Sequence, residues 1–169
     1  MDNIFLIGFM GTGKSTIAKG LSAAYHLKVV EMDELIEKRQ GMSISDIFAK
    51  KGEEYFRKLE TELLKEIQHE KNVVVSCGGG TPLRSENVNA MKENGKVVLL
   101  NATPESIFER VKNNHNRPLL ENNKNVDYIK DMLAGRKDKY FAAADIIIET
   151  DNKSREQICT EIGESLGLI

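Results

Sequence analysis

The run Gly8-Phe9-Met10-Gly11-Thr12-Gly13-Lys14-Ser15 has the spacing G-x-x-x-x-G-K-[ST], and the chemistry that needs this spacing is the binding of a polyphosphate. Glycines let successive backbone N–H groups turn inward onto phosphate oxygens, where a β-carbon would stand in the way. Lys14 brings a positive charge toward the β- and γ-phosphates, and Ser15 offers a hydroxyl to Mg²⁺. A helix opening at these residues adds the positive end of its dipole. Gly11, Thr12, Gly13, Lys14, Ser15 and Thr16 are therefore the candidate ligands for the phosphates of ATP. Such a loop serves hydrolases, switches and kinases alike, so it does not name an acceptor. A chain of 169 residues suits a minimal metabolite kinase better than a motor.

The elements that must hold this loop can be read from apolar runs. Ile4–Phe9, Leu27–Met32, Val73–Cys77, Lys96–Asn101 and Asp145–Glu149 are rich in Val, Ile and Leu without strict alternation, as expected of strands covered on both faces. Helical periodicity lies between them: Ile17, Leu21 and Tyr25 share one face, and Leu59, Leu63 and Ile67 share another. Thr103-Pro104-Glu105 reads as an N-cap followed by proline at the first helical position. Strands alternating with helices predict an α/β fold with a parallel sheet wrapped on both sides, in one domain over residues 1–169.

Ligands of such sheets sit beyond the carboxyl ends of the strands, and three predicted strand ends carry reactive groups. The first leads into the phosphate loop, the second into Glu31-Met32-Asp33, and the third into Ser76-Cys77-Gly78-Gly79-Gly80. On an extended strand end Glu31 and Asp33 project to one side, one suited to a metal's water shell and the other to an acceptor hydroxyl. The competing reading makes Asp33 the cap of a helix over Glu34–Gln40. Gly78, Gly79 and Gly80 would let backbone approach a polyol, or form a plain turn. Ser76 stands where many phosphate-loop proteins keep a metal-orienting carboxylate.

Three arginines call for a partner. Arg57 has Glu53 and Glu60 at helical spacing, so a solvated ion-pair ladder is its default reading. Arg136 falls within the apolar stripe of Val126, Ile129, Leu133 and Tyr140, where a charge needs an anionic partner or must snorkel. Arg110 could reach a nucleotide base or be surface charge. From Lys112 to Asn125 the chain is rich in asparagine and cannot bury much surface, which predicts a mobile lid over about 112–125 carrying Arg117.

The bulk composition sets outer limits. A net charge of −2 gives no reason to expect a nucleic-acid or anionic-membrane partner. Cys77 and Cys159 lack metal-ligand spacing and read as thiols, not a disulfide, which favours a reducing compartment. No apolar run nears the roughly 18 residues of a membrane span, and Met1-Asp2-Asn3 lacks the basic flank of a secretory signal. A cytoplasmic monomer is expected.

Taken in order, these motifs resemble the shikimate kinase family over essentially the whole chain. The matching residues are Gly8-Phe9-Met10-Gly11-Thr12-Gly13-Lys14-Ser15-Thr16, Asp33 with Ile36-Glu37, and Gly41-Met42-Ser43-Ile44-Ser45-Asp46-Ile47-Phe48. They continue with Gly52-Glu53, Phe56-Arg57 and Glu60, Gly78-Gly79-Gly80, Arg117-Pro118-Leu119-Leu120, and Arg136 with Tyr140. The resemblance implies a P-loop kinase fold, a five-stranded parallel sheet of order 2-3-1-4-5 flanked by helices, and transfer of the γ-phosphate of ATP to the 3-hydroxyl of shikimate. It implies that Lys14, Asp33 and Arg117 are catalytic and that Asp33, Arg57, Gly78, Gly79, Gly80 and Arg136 bind shikimate. Ser15 and Glu31 would serve Mg²⁺, Arg110 and Arg117 the nucleotide. Glu60 would hold Arg57, while Ile44, Phe48 and Phe56 would wall the pocket. The family's usual Asp-x-Asp is Glu31-Met32-Asp33 in this chain, and its usual glutamate two places after the tyrosine is Ala142. Another small-metabolite P-loop kinase and a non-catalytic nucleotide-binding module are the alternative readings.

Overall fold

The computed structural model describes residues 2–112 and 125–168. The chain begins with β1 (Asn3–Ile7), α1 (Lys14–Tyr25), β2 (Lys28–Glu31), α2 (Met32–Gln40), α3 (Ile44–Lys51) and α4 (Glu53–Ile67). β3 (Val73–Ser76), a short 3₁₀ turn (Thr81–Leu83), α5 (Ser85–Glu93) and β4 (Gly95–Asn101) follow. The chain continues through α6 (Pro104–Val111), α7 (Val126–Ala143), β5 (Ile146–Glu149) and α8 (Arg155–Ser165). The strands form one sheet in the order β2-β3-β1-β4-β5, and every pairing is parallel. The expected sheet order is the one observed.

Both faces of the sheet are covered, which is why its strands show no alternation in sequence. Phe5 and Ile7 of β1 point into a core with Ile36, Leu63, Leu64 and Ile107. Ile4 and Leu6 point the other way, against Ile17, Leu21, Ile158 and Ile162. The predicted helical faces are the buried ones: Ile17 and Leu21 on α1, Leu63 and Ile67 on α4. Thr103 caps α6 through its side chain, with Pro104 in the first turn.

The strand ends differ from expectation where backbone chemistry changes. β1 stops at Ile7 because Gly8 takes φ 147°, and a β-carbon there would come within 2.5 Å of the Leu100 carbonyl oxygen. β2 stops at Glu31, since Met32 already belongs to α2. Asp33 is therefore neither on an extended strand end nor the helix cap. It lies in the first turn of α2, where a carboxylate suits the helix dipole, and Glu31 occupies the cap position without a side-chain bond to the helix. The predicted lid, apart from its end residues, lies outside the described residues, and so does Arg117.

One buried amide sets the level at which these strands deliver their ends. Asn3 is wholly buried; its Oδ1 accepts from Val73 N at 3.1 Å, and its Nδ2 donates to the Glu70 carbonyl at 3.0 Å. This ties the start of β1 to the start of β3, so the two carboxyl ends emerge side by side. Asn3→Ala leaves the Val73 N–H without its acceptor and is expected to cost roughly 1–3 kcal/mol, measured by urea unfolding. The Val73 amide should exchange faster in the alanine variant than in the parent, and unchanged exchange contradicts the tie.

Candidate active site

At the carboxyl end of the sheet, β1, β2 and β3 open onto one cavity of about 430 Å³. Its phosphate-loop wall includes Gly11, Gly13, Lys14, Ser15 and Thr16; its second wall includes Glu31 and Asp33; its third includes Ser76 and Gly78, Gly79 and Gly80. Arg57 and Glu60 reach it from α4, and Ile44, Phe48 and Phe56 supply an apolar side. The residues singled out at three strand ends thus share one space.

The phosphate loop is held by its own polar groups. Thr12 is buried, and its hydroxyl donates to the Phe9 carbonyl at 2.9 Å. Lys14 Nζ lies within the loop, donating to the carbonyls of Gly8 at 2.8 Å and Phe9 at 3.0 Å. Arg110, exposed on α6, crosses to the loop from outside and donates to the Gly11 carbonyl at 2.9 Å. That contact makes it more than incidental surface charge. α1 starts at Lys14 with no acidic residue in its first turn, so nothing there competes with an anion for its N–H groups.

Between this loop and β2, the Ser15 hydroxyl donates to Glu31 Oε2 at 2.8 Å. The second oxygen of Glu31, Oε1, is buried and has no hydrogen-bond partner among the described residues. A hydroxyl beside a carboxylate with a spare inward oxygen is a hard-oxygen donor set, the kind a small divalent cation or its water accepts.

The opposite end of the cavity is built on buried charge. The ladder reading of Arg57 does not hold, whereas its pairing with Glu60, implied by the family resemblance, is present: Arg57 is 9% exposed and Glu60 is 0%. Arg57 Nη1 donates to Glu60 Oε1 at 2.8 Å, while Nη2 reaches the half-exposed Glu53 at 3.2 Å. The burial comes from the glycine turn, because a β-carbon on Gly80 would lie 2.6 Å from the guanidinium carbon of Arg57. On Gly78 it would lie 2.8 Å from Glu60 Oε2 and 3.1 Å from Asp33 Oδ1. Only glycine leaves room for these groups.

Burial opposes the charge on Arg57, but the carboxylates of Glu60 and Glu53 more than offset it and hold the guanidinium above its ordinary pKa. Burial pushes the Glu60 carboxyl up against the pull of Arg57 and Thr81, and Asp33 adds to the rise. Burial also drives the Cys77 thiol far above its usual range despite Lys14 nearby. Cys77 is thus an inert wall group and not a nucleophile.

Arg136 is buried on α7, as its place in the apolar stripe suggested, and does not snorkel. Its guanidinium lies 5.6 Å over the Phe9 ring, and its Nη1 would be 3.4 Å from a β-carbon on Gly79. Nη1 donates to the Tyr140 hydroxyl at 3.3 Å, which in turn donates to the Gly79 carbonyl at 2.7 Å. Arg57 and Arg136 therefore meet on adjacent glycines from different helices. Two polar groups escaped the reading of residue types. Tyr140 is one, although its i+4 spacing from Arg136 was visible; Glu37 is the other, lining the cavity and accepting from Ile44 N at 2.8 Å.

The cavity therefore joins a phosphate cradle to the buried guanidinium of Arg57, with Asp33 also on its wall, while Arg136 lies over Phe9 and against Gly79. Comparison with known proteins identifies the family. A family model described as shikimate kinase matches residues 10–167. The shikimate kinase of Persephonella marina is 48% identical over 162 residues, 96% of this chain and 97% of that one. The shikimate kinase of Sulfurihydrogenibium sp. is 44% identical over 162 residues, with 96% of each chain covered. Among solved structures, shikimate kinase from Acinetobacter baumannii in complex with shikimate superimposes with a TM-score of 0.93 at 32% identity, covering 99% of this chain and 94% of that one. Shikimate kinase from Aquifex aeolicus gives 0.84 at 42% identity, covering 98% and 96%. The cradle, the paired arginines and these matches lead to one conclusion: the chain belongs to the shikimate kinase family.

Proposed function

We propose that this enzyme transfers the γ-phosphate of ATP to the 3-hydroxyl of shikimate, giving ADP and shikimate 3-phosphate, with Arg57 and Arg136 holding the shikimate carboxylate. Family membership makes the chain an ATP-dependent kinase. The observation that carries the finer reading is the meeting of two buried guanidiniums at Gly79 and Gly80, glycines that line the same cavity as Lys14. Buried cations are costly unless paired, and a planar guanidinium matches a carboxylate in two hydrogen bonds. Glu60 neutralises the inner edge of Arg57. Among the described residues its outer edge has Glu53, half in water, which an incoming carboxylate can replace.

Asp33 stands on the wall between cradle and clamp. A carboxyl with a reference pKa of ~3.9 is a poor ground-state base toward an alcohol, so its role is to accept the hydrogen bond of the attacking hydroxyl, orient it, and take the proton late. Phosphoryl transfer asks the protein mainly for positioning and positive charge. Lys14 supplies that charge at the loop, and Arg117 is proposed to supply more from the segment outside the described residues. Arg110 would flank the nucleotide base.

The donor set of Ser15 and Glu31 fits Mg²⁺, because the buried Oε1 of Glu31 has no partner among the described residues. When bound, the ion supplies neutralising charge on the phosphates. Glutamate in place of the family's usual aspartate reaches one methylene further and already meets Ser15. A cytoplasmic monomer with both subsites in one domain is the expected form, and two buried thiols with no disulfide between them fit a reducing compartment.

The first test offers shikimate, quinate and gluconate as acceptors. Turnover confined to shikimate is expected, and equal turnover of all three contradicts the assignment. Arg136→Ala should raise the KM for shikimate by roughly tenfold or more while moving that for ATP by no more than about twofold; a parallel loss of both rejects the clamp. Glu31→Gln should raise the Mg²⁺ concentration for half-maximal rate by roughly three- to tenfold with little change in shikimate KM, and an unaltered Mg²⁺ requirement removes Glu31 from the metal site.

A further inference from the structure

Behind the glycine turn, a chain of buried polar side chains runs from Glu60, on the cavity wall, away from the cavity. Glu60 Oε1 accepts from Arg57, and its Oε2 accepts from the Thr81 hydroxyl at 2.8 Å. The Thr81 carbonyl accepts from Asn87 Nδ2 at 2.9 Å. Asn87 Oδ1 accepts from the Thr61 hydroxyl at 2.7 Å, and that hydroxyl is 3.2 Å from the carbonyl of Arg57 itself. The path leaves Arg57 by its side chain and returns to its backbone. Thr81 and Asn87 are 0% exposed and Thr61 is 6%, and none of the three lines the cavity.

Packing alone does not call for this arrangement. The surroundings are the main apolar core, with Leu64, Ala90 and Met91 nearby in sequence and buried. Apolar side chains of equal volume would serve stability as well as a buried polar set does. What the chain does achieve is directional. With both oxygens engaged, Glu60 cannot rotate, and a fixed Glu60 holds the inner edge of the Arg57 guanidinium in one plane. The same Thr81 closes the glycine turn, its N–H donating to the Gly78 carbonyl at 3.1 Å. Turn and arginine are thus set by a single residue.

We propose that Thr81 and Asn87 are positioning residues for the acceptor: acting through Glu60, they orient Arg57 so that its outer edge is presented to the substrate's carboxylate. This rests on Arg57 being part of the carboxylate clamp. Substitutions behind Glu60 then weaken recognition of shikimate without touching either ligand.

Steady-state kinetics on Thr81→Val and Thr81→Ser test the assignment, with Arg57→Ala as the reference. Valine keeps the volume and deletes the hydroxyl; serine restores it. Thr81→Val should raise the KM for shikimate roughly three- to tenfold and leave kcat and the KM for ATP within about twofold. Thr81→Ser should return shikimate KM to near the parent value. In an Arg57→Ala background, Thr81→Val should add nothing further, because both act on the same contact. The proposal is overturned if the two KM values rise together, if valine and serine behave alike, or if the effects of Arg57→Ala and Thr81→Val simply add. A large shikimate effect of Arg57→Ala beside a silent Thr81→Val rejects the positioning role alone. A silent Arg57→Ala rejects the clamp, and the proposal with it. Should Thr81→Val fail to melt cooperatively, Asn87→Ser is read the same way: a selective rise in shikimate KM supports the role and a uniform change overturns it.

Discussion

Two opposite charges, Arg57 and Glu60, are taken out of water 2.8 Å apart beneath a run of three glycines, and much of the acceptor end of the molecule follows from accommodating them. An ion pair in this position is no guarantee of stability, since the loss of hydration can exceed the attraction regained. It is accommodated because the carboxylate has a polar partner on each oxygen. Glu60 is saturated by Arg57 and Thr81, and Gly78 and Gly80 leave the volume that both charges need. The arginine is left with one edge fixed and one edge toward the cavity. A guanidinium so placed can offer paired N–H donors to an anion.

The second guanidinium arrives by an independent route. Arg136 comes from α7, stacks over Phe9 of the phosphate loop, and is tied through Tyr140 to the carbonyl of Gly79. Phe9 and Gly79 belong to the loops that follow β1 and β3, which pair directly in the sheet. The spacing between the phosphate cradle and the two arginines is therefore set by neighbouring strands, which Asn3 ties together at their starts. Reaction geometry that must be held closely rests on the most rigid part of the fold, while Asp33 enters from the first turn of α2 between the two ends.

The phosphate cradle was legible from sequence because its chemistry is contiguous: Gly8 to Ser15 carry donors, charge and backbone freedom in a single stretch. The sheet was legible because buried parallel strands are apolar at every position. Strand ends were less so. Asp33 follows an apolar run by one residue, and nothing local says that Met32 has already turned into a helix. The default ladder reading of Arg57 fails for a deeper reason, although the resemblance already paired it with Glu60. Its i−4 and i+3 glutamates look the same in sequence whether α4 faces water or a neighbour, and what buries it is a turn more than 20 residues further on. Arg136 was read correctly because a charge inside an apolar stripe already violates its own helix pattern. Thr81 and Asn87 carry no such mark, since a threonine after glycines and an asparagine in a helix are ordinary until their partners are known.

If the buried guanidinium pair reads a carboxylate, an acceptor lacking that charge must be a poor substrate. Shikimate methyl ester keeps every ring hydroxyl and the same reacting oxygen. With the unmodified enzyme and saturating MgATP, its kcat/KM should fall by roughly 10²-fold or more relative to shikimate. An ester phosphorylated as efficiently as the free acid would contradict the clamp.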